Sequence, residues 1–343
     1  NSPTFRHINK VDLMDISKDS SKSLYILPQK YRVLSLIRNA MSLQEKIKLQ
    51  LNSDIEPGRD YFEVPENYER EIETGVKWEV LKYGHRLLDE HCPYKQGQLT
   101  CIIGHTNVGK TTLILYLLSR LLDRKKMVIY SAENRISQLA RLLIQFAHGI
   151  DRGHKLYFKW LRDRVLFIKH ERQFTYKDML EQLAISDDIG FNADLIFIDP
   201  YNSLKIDGRG NSHEYHYDAI ENMRIFTKTT GKSIFLNCHT VTESQRVKPN
   251  KDGEISRPMA SDVEGGAKFP NKADDTWVIH RQLYATDQEK QYESQLFVDK
   301  VRNRDGGGRP TPYSEPIYFD FKKDWTGFTC SSDFQAAQSD SPF

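Results

Sequence analysis

The apolar positions of this 343-residue chain fall into short continuous runs separated by segments of helical period. Runs at Leu99–Ile103, Met127–Ser131, Val165–Ile168, Leu195–Ile198, Ser233–Asn237 and Thr276–His280 do not alternate apolar with polar residues. A strand that is apolar on both faces is buried on both faces. With helical patterns between most of the runs, the spacing predicts an α/β fold: a mostly parallel sheet with helices on both sides. Two later segments, Gln295–Val301 and Pro316–Phe321, flank the turn Gly306-Gly307-Gly308 and predict an antiparallel pair.

The first 73 residues carry a different pattern. A Ser/Asp/Lys-rich start leads to one helical stretch, Gln29–Leu51, with Val33, Leu36, Ile37, Ala40 and Met41 on one face and Leu43, Ile47 and Leu51 continuing it. That face needs a surface to cover, on its own domain or on a neighbouring subunit. The predicted organisation is a small helical N-terminal linker segment over 1–73, the α/β domain over 74–330 and a polar, disordered tail over 331–343. Asp151–Asp163 and Lys205–His213 are read as additional helical segments.

Composition narrows the class. Hydrophobic residues make up 38%, enough for a sizeable core. No uncharged apolar run reaches the roughly eighteen residues of a membrane span, and the start lacks the apolar region of a secretory leader. The chain opens on Asn1 with no Met, which fits a fragment whose upstream domain has been removed. Cys92, Cys101, Cys238 and Cys330 have no C-x-x-C spacing, and two of them lie inside apolar runs. Core packing in a reducing compartment is the expectation, cytoplasmic or, for a phage protein, host cytoplasmic. The formal net charge of +2 neither requires nor excludes nucleic acid.

The chemistry gathers at the ends of the runs. Gly104-His-Thr-Asn-Val-Gly109-Lys110-Thr111 fits G-x-x-x-x-G-K-[ST] between a predicted strand and a predicted helix. In that setting the N–H groups of Gly104, His105, Thr106, Asn107, Val108, Gly109, Lys110, Thr111 and Thr112 surround nucleotide phosphates. Lys110 adds a point charge, and Thr111 ligates Mg²⁺. Asp199 ends the run Leu195-Ile-Phe-Ile-Asp199. A carboxylate there holds Mg²⁺ through water; the alternative is a cap on the next helix. Glu133, ending the strand after the loop's helix, has the reach to orient an attacking water; otherwise it is an exposed helix-start glutamate. His239 follows Ser233-Ile-Phe-Leu-Asn-Cys and can donate to a γ-phosphate.

In order and spacing these pieces resemble the RecA-like core of the DnaB-like replicative hexameric helicases, nearest the phage primase-helicases and Twinkle. The likeness runs from about Thr74 to Phe328. Its further pieces are Gly97-Gln-Leu-Thr100, Ser131-Ala-Glu133-Asn, Leu139–Phe146, Asn237-Cys-His239, Arg257–Lys268, Ala273–Arg281 and Lys300-Val-Arg302-Asn-Arg304. The resemblance implies a P-loop NTPase that uses ATP or another NTP with Mg²⁺, with His239 as γ-phosphate sensor. It implies Lys300 and Arg302 as groups acting on the next subunit's nucleotide, and Arg281 and Phe321 as the adenine sandwich, Phe321 being otherwise a core aromatic. It also implies that Lys248, Lys251, Arg257 and Lys268, in the long basic stretch 240–270, face single-stranded DNA in the channel of a homo-oligomeric, hexameric ring. Glu264-Gly265-Gly266-Ala267 departs from the family's basic turn, and no primase site is present, so any primase would be a separate domain or protein. Other functions with the same core are a recombinase-like or clock-like ATPase, and a DNA clamp or loader that does not unwind.

Overall fold

In the computed structural model the described residues are 69–74, 77–206, 212–241, 248–263, 266 and 268–331. The predicted helix over Gln29–Leu51 and the tail beyond residue 331 lie outside them. In chain order the elements are α1 (Glu69–Thr74), β1 (Val80–Leu81), α2 (Arg86–His91), β2 (Tyr94–Lys95), β3 (Leu99–Gly104), α3 (Lys110–Ser119), β4 (Met127–Ser131), α4 (Ile136–His148), α5 (Phe158–Arg162), β5 (Val165–Ile168) and α6 (Tyr176–Asp188). There follow β6 (Leu195–Asp199), α7 (Ser212–Thr230), β7 (Ser233–His239), α8 (Lys268–Lys272), β8 (Asp275–His280), α9 (Gln288–Tyr292), β9 (Glu293–Val301), β10 (Ile317–Phe321) and β11 (Phe328–Cys330).

Nine strands form one sheet in the order β11-β10-β9-β8-β3-β7-β6-β4-β5. The pairings from β8 through β5 are parallel, and those among β8, β9, β10 and β11 are antiparallel. Every residue of β3, β4 and β6 is buried, as a two-sided cover of helices requires. The phosphate-loop helix α3 is buried almost all round, from Leu113 to Ser119, whereas α4 buries only the stripe Leu139, Leu142, Leu143 and Phe146 and stops where Gly149 takes a left-handed φ of 61°. A reciprocal cap between Thr175 and Asp178 starts α6.

Two helical expectations are corrected. Asp151–Asp163 is not one helix: Gly153 at φ 78° opens a 3-10 turn, His154–Tyr157, before the short α5. Lys205 and Ile206 are not helical, and α7 begins at Ser212. All four cysteines are buried and free. Among the described residues no helix is long and apolar enough to cross a membrane.

Candidate active site at the carboxyl ends of the parallel strands

Strand register brings four sequence-distant groups to one end of the sheet. Gly104 pairs with His239 across β3 and β7, and Ser131 pairs with Asp199 across β4 and β6. Since β6 lies between β7 and β4, the phosphate loop, His239, Asp199 and Glu133 share the carboxyl edge, where open α/β sheets bind ligands.

Close packing shapes the phosphate loop. A Cβ on Gly104 would come within 2.4 Å of the Ile279 carbonyl oxygen, and Gly109 adopts φ 87° just before α3. Only glycine meets both demands. Lys110 Nζ donates to the carbonyls of Gly104 and His105 at 2.9 and 2.7 Å. Burial pulls its pKa down to about 8, and the nearby Asp199 and Glu133 partly oppose that fall.

Asp199 is fully buried and accepts from Thr111 Oγ1 at 2.9 Å, Ser131 Oγ at 3.1 Å and Asn134 Nδ2 at 3.2 Å, with Asn237 Nδ2 as a fourth donor. Burial raises its pKa, and the Asn237, Thr111 and Ser131 bonds resist the rise by favouring the carboxylate. The donor set fits Mg²⁺. A hydroxyl and a carboxylate oxygen converge, and this ion takes one or two carboxylates and leaves its other positions to water and phosphate. Ser131, Asn134 and Asn237 were not singled out in the sequence, though each lies inside a quoted motif.

Glu133 is half exposed, and its Oε1 lies 3.7 Å from His239 Nε2. The His239 N–H donates to Asn202 Oδ1 at 2.8 Å, fixing the backbone where the strand ends. Arg281 follows β8 and reaches the phosphate loop, its Nη2 donating to the Asn107 carbonyl at 3.3 Å. Burial lowers its pKa. Phe321 lies two strands away at the same end of the sheet, packed edge-on to Trp325 and Phe328 with centroids 5.2 and 4.9 Å apart.

Lys300 and Arg302 lie at the opposite end. Lys300 pairs with Thr276, which pairs with Cys101, and the Arg302 N–H reaches Asp274, whose own N–H reaches Leu99. Five residues along β3 and two strands across put Arg302 roughly 19 Å from Gly104, beyond one arginine side chain. Buried Asp274 gathers cations there: Arg224 Nε at 3.3 Å, Lys228 Nζ at 3.5 Å and Arg302 Nε at 3.8 Å. Lys300 Nζ donates to the carbonyls of Pro270, Asn271 and Ala273, and burial lowers its pKa to about 8, Arg302 adding to the effect.

The four basic positions of the long stretch are not alike. Lys248 and Lys251 are exposed, Lys251 on a tight turn where Gly253 packs on the Tyr284 carbonyl. Lys268 begins α8. Arg257 differs from a solvated loop residue: its Nη1 meets Asp299 Oδ1 at 2.8 Å, and its guanidinium carbon lies 4.3 Å from the Phe297 ring centre and 4.4 Å from that of Tyr313. Glu264, Gly265 and Ala267 lie outside the described residues.

Comparison with known proteins agrees with this geometry. The chain resembles the solved ATPase domain of a DnaB-like helicase (14% identity, TM-score 0.62, 77% of this chain and 96% of that one). It also resembles a DnaB-like replicative helicase whose structure was described with its interactions with primase (14% identity, TM-score 0.61, 88% and 76%). A KaiC-like protein, PH0186 from Pyrococcus horikoshii OT3, shares the fold more loosely (14% identity, TM-score 0.51, 74% and 98%). No curated protein sequence matches at a significant level. The sequence profile of the DnaB-like helicase C-terminal domain, however, matches residues 81–315. The chain therefore belongs to the DnaB-like helicase C-terminal domain family, with the RecA-like fold of a helicase-type NTPase.

Proposed function

We propose that the protein is an ATP-dependent replicative DNA helicase that works as a homo-oligomeric, hexameric ring and moves 5′ to 3′ on single-stranded DNA. The observation that carries this reading is the separation of Arg302 from its own chain's phosphate loop. If Arg302 stabilises charge on a transferring phosphoryl group, that group belongs to another copy, and sites completed between copies call for a closed assembly.

In each site Lys110 and the loop N–H groups hold the phosphates. Thr111 and Asp199 hold Mg²⁺, which when bound neutralises phosphate charge. Glu133 orients the attacking water, His239 reads the γ-phosphate, and Arg281 with Phe321 holds the base. Lys300 and Arg302 reach the neighbour's nucleotide. Lys248, Lys251 and Lys268 contact the DNA backbone, while Arg257 serves from its clamp on β9. Hydrolysis passing between sites shifts the loops and draws the strand. A primase on another chain or domain is the proposed working partner, in a reducing compartment. Unwinding of a forked duplex by wild-type protein and not by Lys110→Ala tests the reading; DNA-stimulated turnover without unwinding would favour a recombinase-like ATPase or a clamp.

A further inference from the structure

The side chain of His105, in the middle of the phosphate loop, points away from the phosphates and into the base of the 240–263 loop. It is 5% exposed, shares a hydrogen bond of 3.1 Å with Thr240 Oγ1, and also bonds the backbone of Ser256. Thr240 is the residue after His239, and it bridges to Val263, closing the loop at its root. One imidazole thus touches both the root and the middle of the loop.

The middle is held as a strap. Gln282 brackets Ile255, its Oε1 accepting the Ile255 N–H at 2.8 Å and its Nε2 donating to the Ile255 carbonyl at 3.0 Å; His280 Nε2 meets the same carbonyl at 3.1 Å. Two residues on, Arg257 is clamped by Asp299, Phe297 and Tyr313. Asp299 adjoins Lys300 in β9. Residues 255–257 therefore join the phosphate loop to the strand that bears the proposed trans-acting pair.

At the loop end, Lys110 Nζ donates to the carbonyl of His105, and a nucleotide phosphate competes for that ammonium. Moving Lys110 frees the His105 peptide to shift, and the buried ring shifts with it. Both ring contacts are short and packed, so displacement reaches Thr240 and Ser256 rather than dissipating.

We propose that His105, acting through Thr240 and the Ser256 backbone, is the positioning contact that ties occupancy of the phosphate loop to the setting of the 240–263 loop, and so to its grip on single-stranded nucleic acid. The proposal rests on the reading of these two regions as nucleotide and DNA sites. It adds the residue that couples them.

The test is the affinity of the full chain for an oligothymidine with and without a non-hydrolysable ATP analogue and Mg²⁺. The ratio of the two affinities is the coupling, and a general loss of affinity cancels in it. Wild type is expected to bind DNA at least about fivefold tighter with the analogue, the low end of measured couplings, and the same factor must appear when nucleotide binding is titrated with and without DNA. Thr240→Val removes the hydroxyl and should bring the ratio to about one, while Thr240→Ser, which keeps it, should preserve the wild-type ratio. Gln282→Leu, which releases Ile255 without touching His105, should also lower the ratio, and it serves if the valine variant does not fold. Wild-type coupling in Thr240→Val, or in Gln282→Leu where only that variant folds, would overturn the proposal and leave the site assignments intact. Wild-type protein that binds both ligands without coupling would do the same. Wild-type protein that binds neither would overturn the assignments and the proposal together.

Discussion

His239 Nε2 stands 3.7 Å from Glu133 Oε1, joining the ends of β7 and β4 over the intervening strand that carries Asp199. The pair closes one side of the space above the phosphate loop, and Lys110 closes the other.

Glu133 and Lys110 should therefore fail differently. Glu133→Gln keeps shape but loses the charge that orients water, so turnover should fall by about 10² to 10⁴ with nucleotide affinity nearly retained. Lys110→Ala should lose both. Steady-state ATPase beside fluorescent-nucleotide binding separates them, and equal loss of binding in the two variants would remove Glu133 from catalysis.

The buried Lys110 should impose a pH dependence. Its pKa of about 8 lies below an ordinary lysine, and the charged form, present below that pKa, is the one that holds phosphate. kcat/KM for ATP, which reports the free enzyme, should fall as pH rises through about 8. Bound phosphates favour the ammonium, so the limb in kcat should lie at higher pH. A kcat/KM that stays flat from about pH 7 to about pH 9 would contradict the assignment.

DNA affinity should depend steeply on salt and little on sequence. Each phosphate contact with a single strand contributes about 0.7 to the slope of log affinity against log salt, so replacing Lys248, Lys251 and Lys268 by alanine should lower the slope by about 2. Arg257→Ala should act otherwise. It leaves Asp299 unpaired in a partly buried site and should cost on the order of 3 kcal/mol of stability, read by urea unfolding, with the slope unchanged. The reverse pattern would put Arg257 on the DNA and the lysines off it.

The parallel core was legible because its strands are buried on both faces, and burial writes itself as unbroken apolar runs: Leu99–Ile103 and Leu195–Ile198 match β3 and β6 to within a residue at either end. The phosphate loop was legible because glycine spacing is a local demand. What escaped depends on distant partners or on very little chain. β11 is three residues long, and β1 and β2 are two each, too short for any periodicity. Arg257 read as one more loop cation because its clamp on Asp299, Phe297 and Tyr313 comes from far along the sequence. Ser131, Asn134 and Asn237 read as ordinary polar residues because only the register of β4, β6 and β7 turns them toward Asp199.

The central claim is that Arg302 completes the nucleotide site of a neighbouring subunit, and a mixing experiment tests it most directly. Arg302→Ala alone should bind ATP nearly normally yet turn over about 10³-fold more slowly, the scale of an arginine finger. In rings that exchange subunits, Arg302→Ala protein supplies an intact phosphate loop and Lys110→Ala protein an intact finger. DNA-stimulated ATPase plotted against mixing ratio should rise above the sum of the two inactive parents, with its maximum at intermediate ratios. A curve that never exceeds that sum in exchanging rings, or an Arg302→Ala protein with unimpaired turnover, would contradict the account.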